Sequence, residues 1–454
     1  MENKKKILVL LKIFKNNLNP FDECALETAL RIPDSEITVL SMSPLAYKDA
    51  LLSLTRVGCN AVLVSDQAYA LSDTVATANI LAAAIKLLNP DVVFAGRQSV
   101  DGDTGQVPMM LSELLGFELV KKVINEEDGI LFLRDGKQTS IKTKQIITFE
   151  KFRLLRSPSI FSKTSDVRII DNNELKLFAN RIGQPGSRTK VVSTFQNNED
   201  RRFCKFIEYR DLKDVIAKAI KANNVQLNEP KTKINEVYYV GDIEKVAKKY
   251  AKSIKHLAIE NCDVNEAIEN IKKVNPKIIL WEENEKIKEL ACRVAIKMDV
   301  GLCADCTNFQ LLDGEIVITR PALSGDVMAN IVCTSAISMA TVRKDNNECD
   351  VAITVGRGAI EYIENIKKLA KEVNAEIYCS RPIADSGLME YSRQVGLTGI
   401  MIKPKVCIAI GVSGAVQHIV GINKSQTIIA INSNKKEQIF DYADYGIVMD
   451  AKDI

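Results

Sequence analysis

The sequence has little of what marks several specialised classes of protein. Its 454 residues carry 61 lysines and arginines against 58 aspartates and glutamates, a net charge of +3, so we expect no nucleic-acid partner. No apolar run reaches the ~18 residues needed to span a membrane. The first apolar run is short and is interrupted by Lys12 and Lys15, which predicts a strand rather than a signal peptide.

Histidine is scarce and cysteine lacks a pattern. There are two histidines, and the 11 cysteines have no regular spacing, which favours a reducing, cytoplasmic location over a secreted disulfide framework. The CxxC at Cys303–Cys306 has neither a second pair nor a histidine near it in sequence. We therefore interpret this pair as structural and predict no metal site.

What the sequence does contain is a regular alternation of short apolar runs and longer helical stretches. Runs at 7–11, 36–40, 61–64 and 91–95 alternate with stretches such as Thr74–Leu88. This alternation predicts βαβ units and an α/β fold with mainly parallel, doubly wound sheets. The chain is too long for a single core, and its length suggests about three domains.

Several sequence features recur about 185 residues apart, which is the mark of a duplicated unit. The matching pairs are Asn89-Pro90 with Asn275-Pro276, Gly116 with Gly301, Asp128-Gly129 with Asp313-Gly314, and Leu155-Arg156 with Val342-Arg343. We therefore predict two copies of one α/β domain, in which Gly116 and Gly301 each end a helix.

The composition also suggests where the domains begin and end. We predict a first nucleotide-binding-type domain at 1–195, an arm and linker at 196–234, a second related domain at 235–344 and a C-terminal domain at 345–454. The polar stretch at 221–235 is the linker itself.

In the C-terminal domain, polar or glycine-containing clusters follow five successive predicted strands. Carboxyl ends of parallel strands meet at one edge of the sheet, where α/β folds bind ligands. Glycine and serine let the backbone approach a pyrophosphate and arginine supplies charge, so the clusters predict a cofactor crevice. They contain Arg357 and Gly358; Ser380 and Arg381; Ser413, Gly414, Gln417 and His418; Asn432; and Asp450. A further polar cluster, with Gln394, Val395, Gly396, Thr398 and Gly399, lies between the second and third of these.

His418 stands out in this set because the chain has so few histidines. The pattern predicts that Ser413 caps a helix at the mouth of the crevice and that His418 lies about one turn into it. There the ring can donate a hydrogen bond to an electron-rich ligand atom.

A second candidate site is the glycine-rich loop at 96–108, which follows the run at 91–95. Backbone N–H groups in such a loop can hold phosphate. The loop matches neither the P-loop nor the GxGxxG pattern. A nucleotide site and an ordinary capped turn are therefore equally open on the residues alone.

At these residues the sequence resembles the electron-transfer flavoprotein family, whose members normally have two subunits. The first part is similar to the β subunit in NPFDECALETAL, SDTVATANILAAAI, AGRQSVDGDTGQVP and LLRSPSI. The rest is similar to the α subunit in GLCADCTNF, TRPALSGDVMANIVC, SRPIADSG, QVGLTG and IAIGVSGAVQH. The resemblance implies a natural β–α fusion that carries electrons between flavoenzymes, with an acyl-CoA dehydrogenase-like or other flavin dehydrogenase as partner.

The resemblance also implies FAD in the C-terminal domain and roles for single residues. By position in the motifs, Arg357 would face phosphate, Ser380 and Arg381 the flavin region, Gln394 and Thr398 the ring or ribityl chain, Ser413 and Gln417 the wall of the site, His418 the pyrimidine edge, and Asn432 and Asp450 the adenosine half. The predicted catalytic set is Arg381, His418 and Thr398. Of these, Arg381 and His418 would stabilise negative charge on the reduced flavin.

A second nucleotide, FAD or AMP, is implied in the first domain. It would lie on Asp22, Ser43, Asp101, Gly102, Asp103, Thr104, Gly105, Gln106 and Val107. The form DGDTGQVP slightly favours FAD and the electron-bifurcating type, for which NADH and ferredoxin are the further partners. The alternative function is a non-redox adenine-nucleotide-binding protein on the same fold.

The sequence also departs from the family pattern in several places, including a short hinge between MATVR and GRG, and two of the departures bear on the proposed sites. The loop after the first strand is short, and FSKTSDVRIID follows LLRSPSI where the family usually has IMKAKKK. These departures concern the frame of the second nucleotide and the rule for partner docking.

Overall fold

A computed structural model describes residues 4–14, 17–196, 202–222, 232–312, 314–323, 327–343, 349–396 and 399–454. It contains three largely parallel sheets with helices on their faces, as the alternating pattern predicts. No helix in these ranges is both long and apolar enough to cross a membrane.

The first sheet has nine strands, and β7, β8 and β9 form an antiparallel extension at one edge. The strands of this region are β1 (Lys5–Leu10), β2 (Ile13–Phe14), β3 (Asn17–Leu18), β4 (Ser35–Met42), β5 (Asn60–Val64), β6 (Val92–Gly96), β7 (Glu118–Glu127), β8 (Ile130–Leu133), β9 (Gln138–Ser140), β10 (Gln145–Phe149) and β11 (Val167–Ile170). The spatial order is β11-β5-β4-β1-β6-β10-β7-β8-β9, and β2 and β3 form a separate hairpin. The helices are α1 (Pro20–Arg31), α2 (Lys48–Leu54), α3 (Thr74–Leu88), α4 (Val107–Leu115), α5 (Asn172–Leu175) and α6 (Gly183–Gly186).

The second sheet has five parallel strands in the order β15-β14-β16-β21-β17. A four-stranded antiparallel sheet, β12-β20-β19-β18, packs beside it, and its edge strand β12 comes from the first part of the chain. The strands are β12 (Thr189–Gln196), β14 (Ile234–Val240), β15 (Ala251–His256), β16 (Ile278–Glu282), β17 (Gly301–Cys306), β18 (Asn308–Leu312), β19 (Glu315–Ala322), β20 (Val327–Cys333) and β21 (Ser338–Val342). The helices are α8 (Glu244–Tyr250), α9 (Val264–Val274) and α10 (Glu285–Met298).

The internal repeat is visible in the strand order. The order β4-β1-β6-β10-β7 in the first sheet is matched by β15-β14-β16-β21-β17 in the second. The helices α3 and α9 both end on an asparagine in the left-handed region, Asn89 (φ 46°) and Asn275 (φ 43°), and a proline follows each. Asparagine tolerates this conformation better than most residues, and proline cannot continue a helix.

One part of the predicted repeat is wrong. Gly116 does end α4, with φ 66°, but Gly301 does not end α10. That helix stops at Met298, and Asp299 (φ 58°) is its left-handed residue. Gly301 instead begins β17, where the backbone of Arg188 approaches so closely that no Cβ would fit.

The two repeats pack against each other through α4 and α10. Met110 from α4 shares one buried apolar cluster with Leu290 and Val294 from α10. Charged pairs surround this contact: Glu113 lies 3.2 Å from Lys297, and Lys121 lies 2.7 Å from Glu289. Burial of apolar surface is the main driving force for such an association, and the complementary charges fix its register.

The third sheet is wholly parallel, with the order β13-β26-β25-β24-β22-β23. Its strands are β13 (Lys205–Phe206), β22 (Val351–Val355), β23 (Ala375–Cys379), β24 (Val406–Ile410), β25 (Thr427–Asn432) and β26 (Tyr445–Val448), and its helices are α7 (Leu212–Ala222), α11 (Ile363–Glu372), α12 (Arg381–Asp385) and α13 (Val416–Ile422).

The segment before the second repeat packs on this third sheet. β13 pairs with β26 at the sheet edge, and Leu212 and Ile216 of α7 are buried in the core of the C-terminal part. The guanidinium of Arg202 donates to the carbonyls of Asn423 and Ser425. The chain therefore contributes an element to its C-terminal sheet before it builds the second repeat.

Candidate cofactor site

Each parallel sheet has one place where its strand order reverses. The reversals lie between β1 and β6, between β14 and β16, and between β22 and β24. At such a point the connections leave in opposite directions, so that a crevice opens outside the carboxyl ends of the two strands. The fold therefore offers three places for a nucleotide.

Carboxylates fill two of these three crevices. Between β1 and β6, the carboxylate of Asp22 accepts from the backbone N–H of Lys12 (2.7 Å) and of Gly96 (2.9 Å). Between β14 and β16, Glu260 accepts from Gly241 N–H (3.0 Å) and Glu282 accepts from Asp242 N–H (2.8 Å). In both places the protein's own oxygens take strand-end donors that an anion could otherwise use.

The crevice between β22 and β24 is open and holds a cavity of about 330 Å³. Four residues predicted from the sequence line it, namely Arg357, Gly358, Asn432 and Asp450. Gly411 also lines it, and its φ of 64° lies in the left-handed region where a side chain would be strained. The structure thus brings together the residues expected for the phosphate and adenosine half.

Two buried polar atoms near the same carboxyl end of β22 have no partner within the described ranges. They are Oγ of Ser380, after β23, and Nδ1 of His418, in α13, and both residues are at least nine-tenths buried. An unpaired buried polar group costs about 1–3 kcal/mol. The polar edge of a flavin ring would give both atoms partners, so the residues present fit FAD.

The ring of His418 is neutral at pH 7. Burial lowers its pKa to about 4, and a contact with the backbone of Val395 offsets this only in part. A neutral ring can donate one hydrogen bond, but it adds no positive charge beside a flavin.

The described residues of the segment 394–399 contact the end of β23. Gln394 is buried, Val395 N–H donates to the carbonyl of Cys379 (2.8 Å), and no Cβ would fit at Gly399 against the carbonyl of Gln394. Gly396 has φ 136°. Thr398 lies outside the described residues.

The predicted capping role of Ser413 is wrong. α13 begins at Val416, the preceding Ala415 makes no side-chain cap, and Ser413 is exposed with its carbonyl accepting from Ile439 N–H (3.1 Å). Gly414, at φ 92°, lets the chain pass this close to Ile439. Gln417 is exposed on the first turn of α13.

A buried carboxylate that the sequence did not single out joins the first sheet to the C-terminal part. Glu150 follows β10, and its oxygens lie 2.9 Å from Arg97, 2.8 Å from Arg381 and 3.4 Å from Arg134. Burial raises its pKa, but the charges of Arg97, Arg381 and Arg134 outweigh this, and the net result is a lowered pKa. The carboxylate is therefore ionised and shared among three guanidinium groups.

Two arginines from elsewhere in the chain donate hydrogen bonds to Gln394, Gly396 and Gly399. Arg134, beyond β8, donates to Oε1 of Gln394 (2.5 Å) and stacks over the ring of Tyr391 at 3.8 Å. Arg343, beyond β21, donates to the carbonyls of Gly396 and Gly399 (both 3.0 Å). The positions of Gln394, Gly396 and Gly399 thus depend on contacts from both repeats. Nothing in the local sequence of Arg134 indicates this role.

The loop 96–108 is held in place by an ion pair and by hydrogen bonds to other parts of the chain. Asp101 pairs with Lys12 (2.8 Å), and the carbonyl of Gly102 accepts from Arg320 in β19 (2.8 Å). Gln106 is buried, accepting from Thr74 (2.8 Å) and donating to the carbonyl of Leu302 (3.0 Å).

Most of the other residues predicted for the second nucleotide lie within this loop. Asp103 accepts from Gln98 (3.1 Å), Thr104 is half-buried, Gly105 has φ 61°, Val107 begins α4, and Ser43 shares a hydrogen bond with Ser41 (2.9 Å). Asp22 lies in the adjoining crevice, where burial raises its pKa to about 7.

The fold and the open crevice define the class of this protein as one that binds a nucleotide cofactor at the carboxyl edge of a parallel sheet. Comparison with protein families gives the particular family. The electron transfer flavoprotein domain matches residues 7–145 and 264–368, and the electron transfer flavoprotein FAD-binding domain matches residues 346–423. The chain belongs to the electron transfer flavoprotein family, and one family model matches both of its repeats.

Individual relatives agree with this assignment. The protein FixB of Rhizobium meliloti is 32% identical over 39% of this chain and 64% of its own length. The electron transfer flavoprotein subunit alpha of Thermoanaerobacterium thermosaccharolyticum is 32% identical, over 44% and 71%. Subunit LctC of the lactate dehydrogenase (NAD(+),ferredoxin) of Acetobacterium woodii is 33% identical, over 44% and 59%. The chain therefore spans roughly two thirds of the length of these relatives.

Proposed function

We propose that this chain is an electron carrier that holds FAD in its C-terminal crevice and passes electrons between flavoenzymes. The observation that carries the proposal is a pair of buried atoms, Ser380 Oγ and His418 Nδ1, that have no partner among the described residues. They lie at the carboxyl edge of the sheet that also opens the cavity, in a domain that matches an FAD-binding family. Bound FAD would supply the chemistry, because it can take up and release electrons one or two at a time.

Different residues of the crevice would bind different parts of FAD. Arg357 and Gly358 would face the pyrophosphate, and Asn432 and Asp450 would hold the adenosine half, because these four line the cavity. Ser380 and His418 would orient the ring through Oγ and Nδ1, the two atoms without a partner among the described residues. Arg381, next to Ser380, would supply positive charge near the ring, shared with Glu150.

We also propose that the chain is a natural fusion of a β-like subunit (1–195) and an α-like subunit (235–344 and 345–454), joined by an arm and linker (196–234). Three observations support this: the matching strand orders of the two sheets, the family model that matches both repeats, and the packing of α4 on α10. In this proposal the arm connects the β-like subunit to the FAD-binding domain, because its β13 and α7 pack on the C-terminal sheet.

A second nucleotide, FAD or AMP, would bind at the crevice between β1 and β6. The glycine-rich loop at 96–108 and the reversal of strand order there support a nucleotide site. The ligand would have to share or replace the contacts that Asp22 makes. A second FAD would suit an NADH-oxidising, electron-bifurcating protein that works with ferredoxin. The similarity to LctC, a subunit of a lactate dehydrogenase (NAD(+),ferredoxin), supports that type.

A flavin dehydrogenase is the proposed partner, and the segment 151–166 is its candidate contact. Leu154, Ile160 and Phe161 are large apolar side chains on this segment and are 73%, 85% and 86% exposed. Arg156 anchors the segment by a two-pronged ion pair to buried Glu27. Exposed apolar groups on an anchored loop are suited to protein recognition.

The test is to purify the full chain, record its visible spectrum, and quantify FAD and AMP per chain after extraction. One FAD with AMP supports the carrier that needs a flavoenzyme donor, and two FAD with direct reduction by NADH supports the bifurcating type. An adenine nucleotide without any flavin, even after incubation with FAD, would favour the non-redox alternative and overturn the proposal.

Variants of the loop 96–108 test whether the two sites are separate. Asp101→Ala or Thr104→Ala should lower the content of the second nucleotide and leave the FAD of the C-terminal crevice in place. Equal loss of both nucleotides would argue against a separate second site.

A further inference from the structure

Thr354 meets His418 inside the C-terminal core. Thr354 lies in the central strand β22 and has no exposed surface, and its hydroxyl oxygen is 3.0 Å from Nε2 of His418. The other ring nitrogen, Nδ1, is the atom without a partner in the described part of the chain. One side of the imidazole is therefore occupied, and the other is left for a ligand.

A neutral imidazole carries its proton on one nitrogen only, so the partner of one nitrogen decides what the other can do. If the threonine hydroxyl donates to Nε2, the proton resides on Nδ1 and that nitrogen is a donor. A flavin carbonyl can only accept a hydrogen bond. It would therefore pair with Nδ1 when Thr354 supplies the matching donor on the far side of the ring.

We propose that Thr354 is a positioning residue that sets the tautomer of His418: its hydroxyl donates to Nε2, keeps the proton on Nδ1, and so presents a donor to the flavin ring. The proposal rests on the proposed FAD site. Thr354 itself touches no part of the cofactor in this scheme, since it acts through the histidine.

The contact of Val395 with the imidazole ring offers a competing explanation. The backbone of Val395 also acts on the ring, and a carbonyl there could hold an N–H without help from a hydroxyl. The two explanations differ in one respect: only the first makes the tautomer depend on the side chain at position 354.

The experiment uses the full chain labelled with ¹⁵N-histidine. The chain has two histidines, so a His256→Gln variant assigns the signals of His418 without ambiguity. Thr354→Val keeps the shape of the side chain and removes the hydroxyl, and Thr354→Ser keeps the hydroxyl as a matched control. Two-bond ¹H–¹⁵N spectra report which nitrogen of His418 is protonated, before and after addition of FAD.

We expect the wild type and Thr354→Ser to show the proton on Nδ1 in both states. Thr354→Val should show a mixture of tautomers, and its affinity for FAD should fall about tenfold, because Nε2 then lacks a donor. If Thr354→Val fails to fold, Thr354→Ala removes the same hydroxyl with less bulk.

A wild-type tautomer in the valine or alanine variant would overturn the proposal and assign the role to Val395. A proton on Nε2 in the wild type would overturn it as well. Failure of the proposed function looks different: the protein would then take up no FAD, while the spectrum without FAD would still report on Thr354.

Discussion

The carboxylate of Glu150 lies 2.8 Å from the guanidinium of Arg381 and links the end of β10 in the first repeat to the start of α12 beside the FAD crevice. Glu150 is 3% exposed and also lies near Arg97 and Arg134. One buried anion therefore holds together three cations from two parts of the chain. How the C-terminal part sits on the repeats and how much charge Arg381 offers a flavin depend on the same contact.

Replacing Glu150 by glutamine should loosen this contact. Removal of one partner of a buried ion pair leaves the other charges uncompensated and typically costs about 3 kcal/mol. We expect Glu150→Gln to lower the free energy of unfolding by that order in a denaturant titration. The matched control is Asp385→Asn, because Asp385 meets Arg381 from a more exposed position (3.2 Å) and such pairs are worth at most about 1 kcal/mol.

The pH dependence of the same contact has a definite sign. The folded state lowers the pKa of Glu150, so its stabilising effect is present above the unfolded value of about 4.3 and is lost as the pH falls through the folded value. Unfolding free energies measured from pH 6 down to pH 3 should show this loss in the wild type and less of it in Glu150→Gln. Equal slopes in the two proteins would contradict the assignment.

Asp22 should give a pH dependence of the opposite sign. Burial raises its folded pKa to about 7, so the folded state holds a proton that the unfolded state releases above about pH 3.9. Stability should therefore fall as the pH rises from 4 to 7, by the order of 4 kcal/mol. Asp22→Asn should remove most of this slope in thermal or denaturant unfolding. A slope unchanged by the substitution would show that another group titrates.

Cleavage of the linker tests whether the two repeats form a stable pair. A protease site inserted within 221–235 should yield fragments that elute together on gel filtration, because Met110 shares a buried core with Leu290 and Val294. Glu113→Lys is the informative variant, since it places like charges opposite Lys297 and Arg293 and should promote separation. Separation of the wild-type fragments would refute the fusion as proposed.

Patterns within single elements were enough to predict much of the fold. The helix Thr74–Leu88 has the predicted bounds, because its aspartate cap and its asparagine-proline end are local signals. The duplicated domain was also predictable, because the same short motifs, such as Asn-Pro at 89–90 and 275–276, recur along the chain. The Gly301 assignment failed because a glycine needed for close packing against Arg188 resembles a glycine needed to end a helix.

The cofactor crevice could be predicted from the sequence, but the charged residues that reach it from other domains could not. Asn432 ends a strand of the third sheet, and Arg357 and Asp450 each lie two residues beyond another strand of that sheet. Topology alone therefore brings them to one cavity. Glu150 and Arg134 reach the C-terminal part only through the packing of separate domains. No spacing along the sequence encodes that packing.

The prediction that bears most directly on electron transfer concerns Arg381. A guanidinium near the flavin stabilises added negative charge without losing its own proton, and loss of such a donor typically costs about 1.5–3 kcal/mol. For a one-electron couple this corresponds to roughly 60–130 mV, since a tenfold change is 59 mV. We therefore expect Arg381→Ala to lower the first reduction potential of the FAD. The shift should lie toward the smaller figure, because Glu150 already neutralises part of the charge.

Two variants make the measurement specific. His418→Ala should shift the potential in the same direction but less, because its ring is neutral. Arg393→Ala removes an arginine that pairs with Glu376 and should leave the potential unchanged. FAD should stay bound in all three proteins, since Arg357, Asn432 and Asp450 are untouched. An unchanged potential in Arg381→Ala, measured by potentiometric titration, would remove Arg381 from the flavin site and leave it as a link between domains.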